Sequence, residues 1–282
     1  MGLDPIGAEA TNLSMGPRQD IYALVAARVA ATVTADAVAN GTPLQPFAQQ
    51  WMGNVTRKTV KRAVMTTPYG VTVRGIRDQL LADELVPDSS GAAADYMRDC
   101  ICEALSGTVV AAKDIMGWLQ DCAKHLGKAG LPLRWETPSG SACEQAYHST
   151  SVVHLKTLCG DLRLLQEDTK STLKPAKQAL ASAPNIIHSF DAAHLTMTIV
   201  AGAERGISHW AMIHDSFGTH AGNAQALTSV LREQFVEIYK QDWLQRLYQG
   251  FKAYAPHVQI NPPPARGDFN IEEVLNSDFF FS

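Results

Sequence analysis

The chain has 282 residues, 46% of them hydrophobic and 18% charged, with a formal net charge of −4. These are the proportions of an ordinary globular protein with room for one large core or two small ones. No apolar run reads as long enough to cross a bilayer, and Met1 to Leu13 lacks the basic and apolar regions of a secretory signal. The five cysteines (Cys100, Cys102, Cys122, Cys143, Cys159) are odd in number and lie in core-like segments. They read as reduced thiols with no zinc site, since Cys100 and Cys102 point to different faces of a predicted helix.

In chain order, Ile21, Val25, Val29 and Val33 form one stripe and predict a helix from Gln19 to about Asp36. A Gly/Pro/Gln-rich loop follows from Asn40 to Pro46. A second helix runs from about Val55 towards Tyr69, ended by Gly70, and Val71 to Gln79 forms a short further segment. Pro87 to Gly91 reads as a loop. Ala92 to Leu126 reads as one or two helices interrupted near Gly107, with Gly127 and Gly130 as stops. Alternation at Leu133, Trp135 and Thr137, a polar turn at His148 to Ser151, and alternation again over Leu155 to Leu165 predict β-hairpin structure. Lys170 to Pro184 reads as a polar connector. A helix within Asn185 to Val200 is predicted to start near Asp191, its cap. Trp210 to Ile213 reads as a short buried strand and Asn223 to Tyr248 as one long amphipathic helix. An irregular tail ends in Phe279-Phe280-Phe281-Ser282. The sum is an α+β chain, mostly α, with small antiparallel insertions.

Two features carry chemistry. The apolar lead-in to Asp215 delivers a carboxylate to a turn of small or polar residues. A carboxylate at the end of a rigid strand suits a divalent metal, although an Asp after an apolar run also suits a turn or helix cap. The second feature is charge. From Ala37 to Arg77 there is no Asp or Glu, while Arg57, Lys58, Lys61, Arg62, Arg74 and Arg77 fall there. Such a block predicts a local basic surface that attracts phosphates even on an acidic protein, because salt screens fields beyond about 8–10 Å. Its plain alternative is a solvated helix face. Within the block, Arg57, Lys61, Met65 and Tyr69 are spaced by four and form one stripe on a helix, cationic at its start and aromatic at its end.

The run His214-Asp215-Ser216-Phe217-Gly218-Thr219-His220-Ala221 resembles the third conserved motif of the single-subunit RNA polymerases of phage and mitochondria. The resemblance implies that Asp215 is one of two aspartates holding a catalytic pair of Mg²⁺ ions. Val55 to Gly70 resembles the family's fingers-helix motif: a basic residue, a Lys-Arg pair, then M-T-x-x-Y-G. It implies that Arg57 and Lys61 take the triphosphate, with Lys61 neutralising and protonating the departing pyrophosphate. Tyr69 would lie by the sugar and base and sense a ribose. Met65 falls on the substrate stripe, though with Val64 it also reads as core packing. Pro68 departs from the small or aliphatic residue usual there and should kink the last turn, since it cannot donate to the carbonyl of Val64. Arg74 stands where phage relatives tend to have an aromatic, and a phosphate or template contact is expected instead.

His188-Ser189-Phe190-Asp191-Ala192-Ala193-His194-Leu195 is similar to the family's H-S-x-D-x-x-H-L and implies that His194 lies near the sugar of the incoming nucleotide. A deoxy substrate would then leave a polar partner unpaired, at about 1–3 kcal/mol. A satisfied core histidine is the alternative. Gln19-Asp20-Ile21-Tyr22 matches a segment whose Tyr lies beside the fingers-helix Tyr, which makes Tyr22 a candidate. The hairpin near Tyr147 to Gln166 lies where phage polymerases read promoter bases, and implies Lys156 and Gln166 as base-reading side chains.

The resemblance covers essentially all 282 residues but only about the last third of a family polymerase. The implied architecture is the fingers and C-terminal palm portion of a right-hand polymerase. Residues 1–193 would be fingers, with the nucleotide-binding helix at 55–70 and a specificity-type hairpin at about 133–166. Residues 194–282 would be palm, with the metal-binding motif and a tail packed back near the active site. Asp4 to Leu13 looks like the segment just after the first catalytic motif, so the other aspartate is expected on a partner chain. Two-metal catalysis needs carboxylates on both sides of the ions. The expectation is therefore one subunit of a split nucleotidyltransferase, inactive alone. Its second subunit would carry the N-terminal domain, thumb and first motif. DNA template and promoter, nascent RNA and ribonucleoside triphosphates are the other expected partners, with no membrane. Ser216-Phe217-Gly218 points to a phage and the cytoplasm of an infected bacterium, with the mitochondrial matrix as alternative. Rival readings are a non-catalytic nucleic-acid-binding or assembly protein that keeps the fold, and a family A DNA polymerase fragment.

Overall fold

A computed structural model describes residues 1–87, 90–108, 110–167 and 172–281. Parts of the expected loop at 87–91 and connector at 170–184, and the terminal Ser282, lie outside the described residues. The helices are α1 (Pro5–Ala10), α2 (Ile21–Val38), α3 (Gln45–Trp51), α4 (Arg57–Thr66), α5 (Val73–Ala82), α6 (Gly91–Ser106), α7 (Val110–Lys128), α8 (Pro175–Glu204), α9 (Ala224–Lys240) and α10 (Trp243–Tyr254). The strands are β1 (Leu133–Glu136), β2 (Ala142–Gln145), β3 (Thr150–Thr157), β4 (Gly160–Glu167), β5 (Ala211–Ile213) and β6 (Ser216–Gly218). They pair as three separate antiparallel hairpins, β1–β2, β3–β4 and β5–β6. The chain is thus α+β and mostly α, as expected.

The chain divides into two compact units, one of residues 1–116, 222–241 and 264–282, the other of residues 117–221 and 242–263. The boundary expected at 193/194 falls inside α8, and each unit is assembled from discontinuous segments.

In the first unit, α2 packs on α3, α4 and α6. Asp20 caps α2 by accepting from the N–H groups of Tyr22 and Ala23, and Val25, Val29 and Val33 form the buried stripe. By length and composition alone α2 could cross a membrane, contrary to the expectation from apolar run length. Its buried valines are the mark of a core helix instead. The first unit's core also holds Trp51, fully buried, whose indole N–H donates to the carbonyl of Ala93 at 2.9 Å. The short helix α3 lies partly where a loop was expected, because Pro46 suits a first helical turn as well as a loop. The aromatic tail folds back within this unit. Phe280 is buried against Phe235 of α9, with ring centroids 5.0 Å apart, while Phe281 is exposed.

In the second unit, α8 runs for 30 residues, so the polar connector and the Asp191 cap are both corrected. Pro184 lies inside the helix and Asp191 near its middle. Pro175 at the start and Pro184 nine residues on made the first turns read as irregular, yet a first-turn proline is well tolerated. Tertiary bonds hold this segment helical. Gln178, fully buried, donates to the carbonyl of Gln145 and Gln145 donates to the carbonyl of Gln178, each at 2.8 Å. The side-chain carbonyl of Gln178 also accepts from the N–H of Tyr147, at 3.1 Å. The helix expected over Asn223 to Tyr248 is two helices, since Asp242 accepts from the N–H of Gln245 and restarts the chain as α10. All five cysteines are free, but Cys159 sits exposed at the β3–β4 turn rather than in a core.

Replacing Gln178 with Leu strands several buried polar groups. The second unit is expected to lose roughly 1–3 kcal/mol for each group left unpaired, read by urea unfolding. An unchanged midpoint would show that the amide pair does not hold β2 to α8.

Candidate functional site

In the first unit the site candidate is the outer face of α4. Thr56 precedes the helix, and its N–H donates to the Oγ1 of Thr59 at 3.1 Å. Val60, Ala63 and Val64 bury the inner face in the core. Arg57, Lys61, Met65 and Tyr69 all lie on the solvent side, with Met65 48% and Tyr69 43% exposed. Core packing therefore holds for Val64 and is corrected for Met65. Exposed between a lysine and a tyrosine, Met65 is open to a ligand laid along the stripe. Pro68 does end the α-helical bonding: α4 stops at Thr66 and a 3-10 turn, Thr67–Tyr69, follows. Gly70 closes it at φ 77, a conformation that glycine adopts without strain.

The basic block is less basic in space than in sequence. Asp20 meets Arg57 at 2.6 Å and Asp83 meets Arg62 at 2.6 Å. Asp95 meets Arg77 at 3.0 Å, and Asp78 lies 3.9 Å from the largely exposed Arg74. The acids come from the segments flanking the block. Among the described residues Lys58 and Lys61 make no ion pair and remain the block's uncompensated charges. Arg57 also lies over the ring of Tyr22, 4.7 Å from its centroid. Tyr22 thus stacks at the N-terminal end of α4, where it orients Arg57. Tyr69 lies beyond the helix's other end.

In the second unit, β5 and β6 present Asp215 at a two-residue turn, with Ile213 paired to Ser216. The strand is as expected, but it is not buried: Ile213 is 68% exposed. His214 takes φ 55, a left-handed conformation uncommon for non-glycine residues but more accessible to histidine than to most, next to the exposed Asp215. Two contacts seat this hairpin on α8. His194, 5% exposed, faces Phe217 with ring centroids 5.6 Å apart. Gly202 leaves room for the indole of Trp210, which a Cβ at that position would strike. The burial of His194 matches the core-histidine alternative, and its ring contact serves to hold the hairpin.

Sequence reasoning missed Asp191 as a neighbour of Asp215. Asp191 is exposed, but the surrounding protein partly desolvates its carboxyl and pushes it above the usual carboxylate range, opposed by His188 and reinforced by the negative charge of Asp215. The signal was available in principle, since Asp191 precedes His194 by three and shares its side of a helix.

Asp215 offers the hard oxygen donors that Mg²⁺ takes. Among the described residues, no group of three His, Cys, Asp or Glu side chains gathers that could hold a metal ion. Asp215 fits as one ligand, and a complete shell needs donors from elsewhere.

The β3–β4 hairpin alters the reading of Lys156 and Gln166. Facing residues of an antiparallel pair share a side, and sides alternate along each strand. Lys156 pairs with Asp161 and shares its side with His154 and Arg163, and with Val152 and Leu165. Gln166 pairs with Ser151 on the opposite side, beside Val153, Leu155, Leu162 and Leu164. One duplex cannot be read by Lys156 and Gln166 from the same face. Arg163 and His154, passed over in the sequence, are the companions of Lys156.

The sequence profile described as DNA-dependent RNA polymerase matches residues 1–258. A mitochondrial DNA-directed RNA polymerase 1 of Nicotiana sylvestris is 38% identical over 291 aligned positions, which take in all of this chain and 29% of that protein. The mitochondrial DNA-directed RNA polymerase 1 of Arabidopsis thaliana is 37% identical, over all of this chain and 30% of its own length. DNA-directed RNA polymerase 2A of Nicotiana tabacum is 38% identical, with 87% of its length covered. The chain thus spans under a third of the first two relatives. These relatives are plant proteins, two of them mitochondrial by name, and lend no support to a phage source.

The Asp20–Arg57 pair makes a pH prediction. Burial raises the Asp20 carboxyl, but the Arg57 bond and the N–H groups of Ala23 and Tyr22 outweigh it, and the net shift is downward. A lowered folded pKa stabilises above the unfolded carboxylate range, near about 4, and that stability is lost as pH falls through the folded value. Asp20→Asn is expected to cost about 0.2–1 kcal/mol at pH 7 and progressively less as the pH is lowered below 4, read as melting temperature against pH. A difference independent of pH would remove the pair's role.

Proposed function

Because this chain belongs to the DNA-dependent RNA polymerase family, we propose that it carries the nucleotide-selecting helix and one metal-binding aspartate of a template-directed RNA-synthesising enzyme. The observation that supports this most is the outward stripe of α4. A cationic start, an exposed methionine and a terminal tyrosine lie on one solvent face and suit a nucleoside triphosphate laid along them.

In this reading Lys61 takes the triphosphate as an uncompensated point charge that can also give up a proton. Arg57 is pre-oriented by Asp20 and Tyr22, and offers phosphate oxygens the edge of its guanidinium that Asp20 leaves open. Tyr69 lies by the sugar. His194 acts as a positioning residue for the β5–β6 hairpin. Arg74, nearly bare of partners, takes a template phosphate. Asp215 would hold Mg²⁺, which supplies charge neutralisation at the reacting phosphate when bound. The second aspartate comes from polymerase sequence beyond this chain, on the same or another polypeptide, so this chain by itself is inactive. The side of β3–β4 bearing His154, Lys156 and Arg163 faces DNA. The fingers and palm of a right-hand fold are the corresponding architectural assignment. The organellar names of the relatives favour a mitochondrial setting.

The test is RNA synthesis by this chain assembled with the remaining polymerase region. Asp215→Asn is expected to lower templated synthesis by roughly a hundredfold or more, with DNA binding retained in a gel shift. Lys61→Ala should act mainly on the chemical step. Synthesis by this chain alone, or undiminished synthesis by the Asp215 variant, would overturn the proposal.

On the β3–β4 hairpin, Arg163→Ala and Lys156→Ala are each expected to weaken DNA binding and to flatten its salt dependence, by about one unit of slope for each phosphate no longer neutralised. Gln166→Ala should change neither. Equal effects from both sides of the hairpin would remove the face assignment.

A further inference from the structure

The β5–β6 hairpin carries two histidines that no catalytic role uses. Ala211 pairs with Gly218, Met212 with Phe217 and Ile213 with Ser216. Carried two residues past Ala211 and Gly218, that register sets His209 opposite His220. Their rings are in contact, centroids 4.7 Å apart and nearly perpendicular, and both residues are exposed. The hydroxyl of Thr219 donates to the carbonyl of His209 at 2.8 Å, tying the two segments together beside the rings. The Nδ1 of His209 lies 2.9 Å from the Oγ of Ser208. In the tautomer that donates from Nδ1 to this hydroxyl, Nε2 keeps its lone pair outward, which is how a neighbouring acceptor fixes a metal-ligating histidine.

We propose that His209 and His220 form a two-imidazole site for a borderline divalent cation of the Zn²⁺, Ni²⁺ and Cu²⁺ class. Cross-strand partners have Cβ atoms about 4.5–5.5 Å apart, a span that lets two imidazole nitrogens reach one ion at about 2.0–2.1 Å with modest ring rotation. Water completes the shell. Imidazole nitrogen selects these ions over Mg²⁺, which prefers oxygen. The site is therefore chemically distinct from Asp215, although both lie on one hairpin. The pair stands at the open end and Asp215 at the closed end, so an ion here clasps the two strands and restrains the His214-Asp215 turn, where His214 takes φ 55. The inference stands apart from the polymerase reading, because ion binding is measured on this chain without synthesis.

The experiment titrates Zn²⁺ into the thiol-alkylated full chain by calorimetry, with Mg²⁺ present in excess. One Zn²⁺ is expected per chain, its affinity falling about tenfold or more in His209→Gln and in His220→Gln and unchanged in His257→Gln, another exposed histidine of the same unit. Hydrogen exchange read on the same samples should show Zn²⁺ slowing the amides of residues 211–218 in the unmodified sequence alone. The substituted side chains are exposed, and unaltered circular dichroism would confirm folding. Equal Zn²⁺ affinity across all the variants, or displacement of Zn²⁺ by Mg²⁺, overturns the site. Zn²⁺ binding without slowed exchange overturns the clasp.

Discussion

Two glutamine amides buried face to face set the geometry of the unit that carries Asp215. Gln178 and Gln145 exchange hydrogen bonds with each other's backbone, and Gln178 also receives the N–H of Tyr147. A buried amide costs heavily when unpaired and little when every group has a partner, so this pair admits one alignment of β2 against α8. Asn185, about two turns beyond Gln178 on the same helix, donates to the Gln145 side chain at 2.8 Å and extends the lock. Everything downstream on α8 inherits that alignment, including His194, Gly202 and the indole seat beneath the β5–β6 hairpin. Asp215 is exposed on a short two-stranded ribbon, and ribbons of that size are marginal in isolation. Its position is fixed by a helix whose own register is fixed elsewhere.

The other unit solves a different problem. A helix meant to present cations must fold without their mutual repulsion dominating. Here the buried side of α4 is apolar and small, while Asp20, Asp83 and Asp95 compensate the arginines of the block. Among the described residues Lys58 and Lys61 are left without an ion pair, Lys61 in the middle of the exposed stripe. The net effect is a few positive charges concentrated at Lys58 and Lys61 where a broad basic surface was expected. Focused charge beside an aromatic suits a small polyanion better than a long one, which fits a nucleotide more closely than a duplex.

On the two exposed hairpins, period-two geometry decides which side chains share a side. On β3–β4 the basic side chains Lys156, His154 and Arg163 share one side, with Asp161, Val152 and Leu165, while Val153, Leu155, Leu162 and Leu164 share the other. On β5–β6 the same rule brings His209 against His220, eleven residues apart in sequence. Neither juxtaposition depends on burial, since the basic and histidine side chains concerned are exposed. Each follows from strand register alone.

Local rules were enough for the helical stripe of α2, the helix and stop at Thr66 to Gly70, the break near Gly107, and the turn that carries Asp215. Those rules are apolar spacing, a missing N–H at Pro68, the freedom of Gly70, and small residues after an apolar run. The motif wording also reached the family. Long-range packing settled most of the rest. It made residues 175–190 helical through the glutamine lock, against two prolines. It buried His194 against Phe217, whereas the split of the expected last helix was local, set by the Asp242 cap on the N–H of Gln245 three residues on. Long-range packing also paired the basic block with acids that lie before and after it in the chain. Each of its outcomes turns on a partner distant in sequence, and local spacing carries no information about which distant group will arrive.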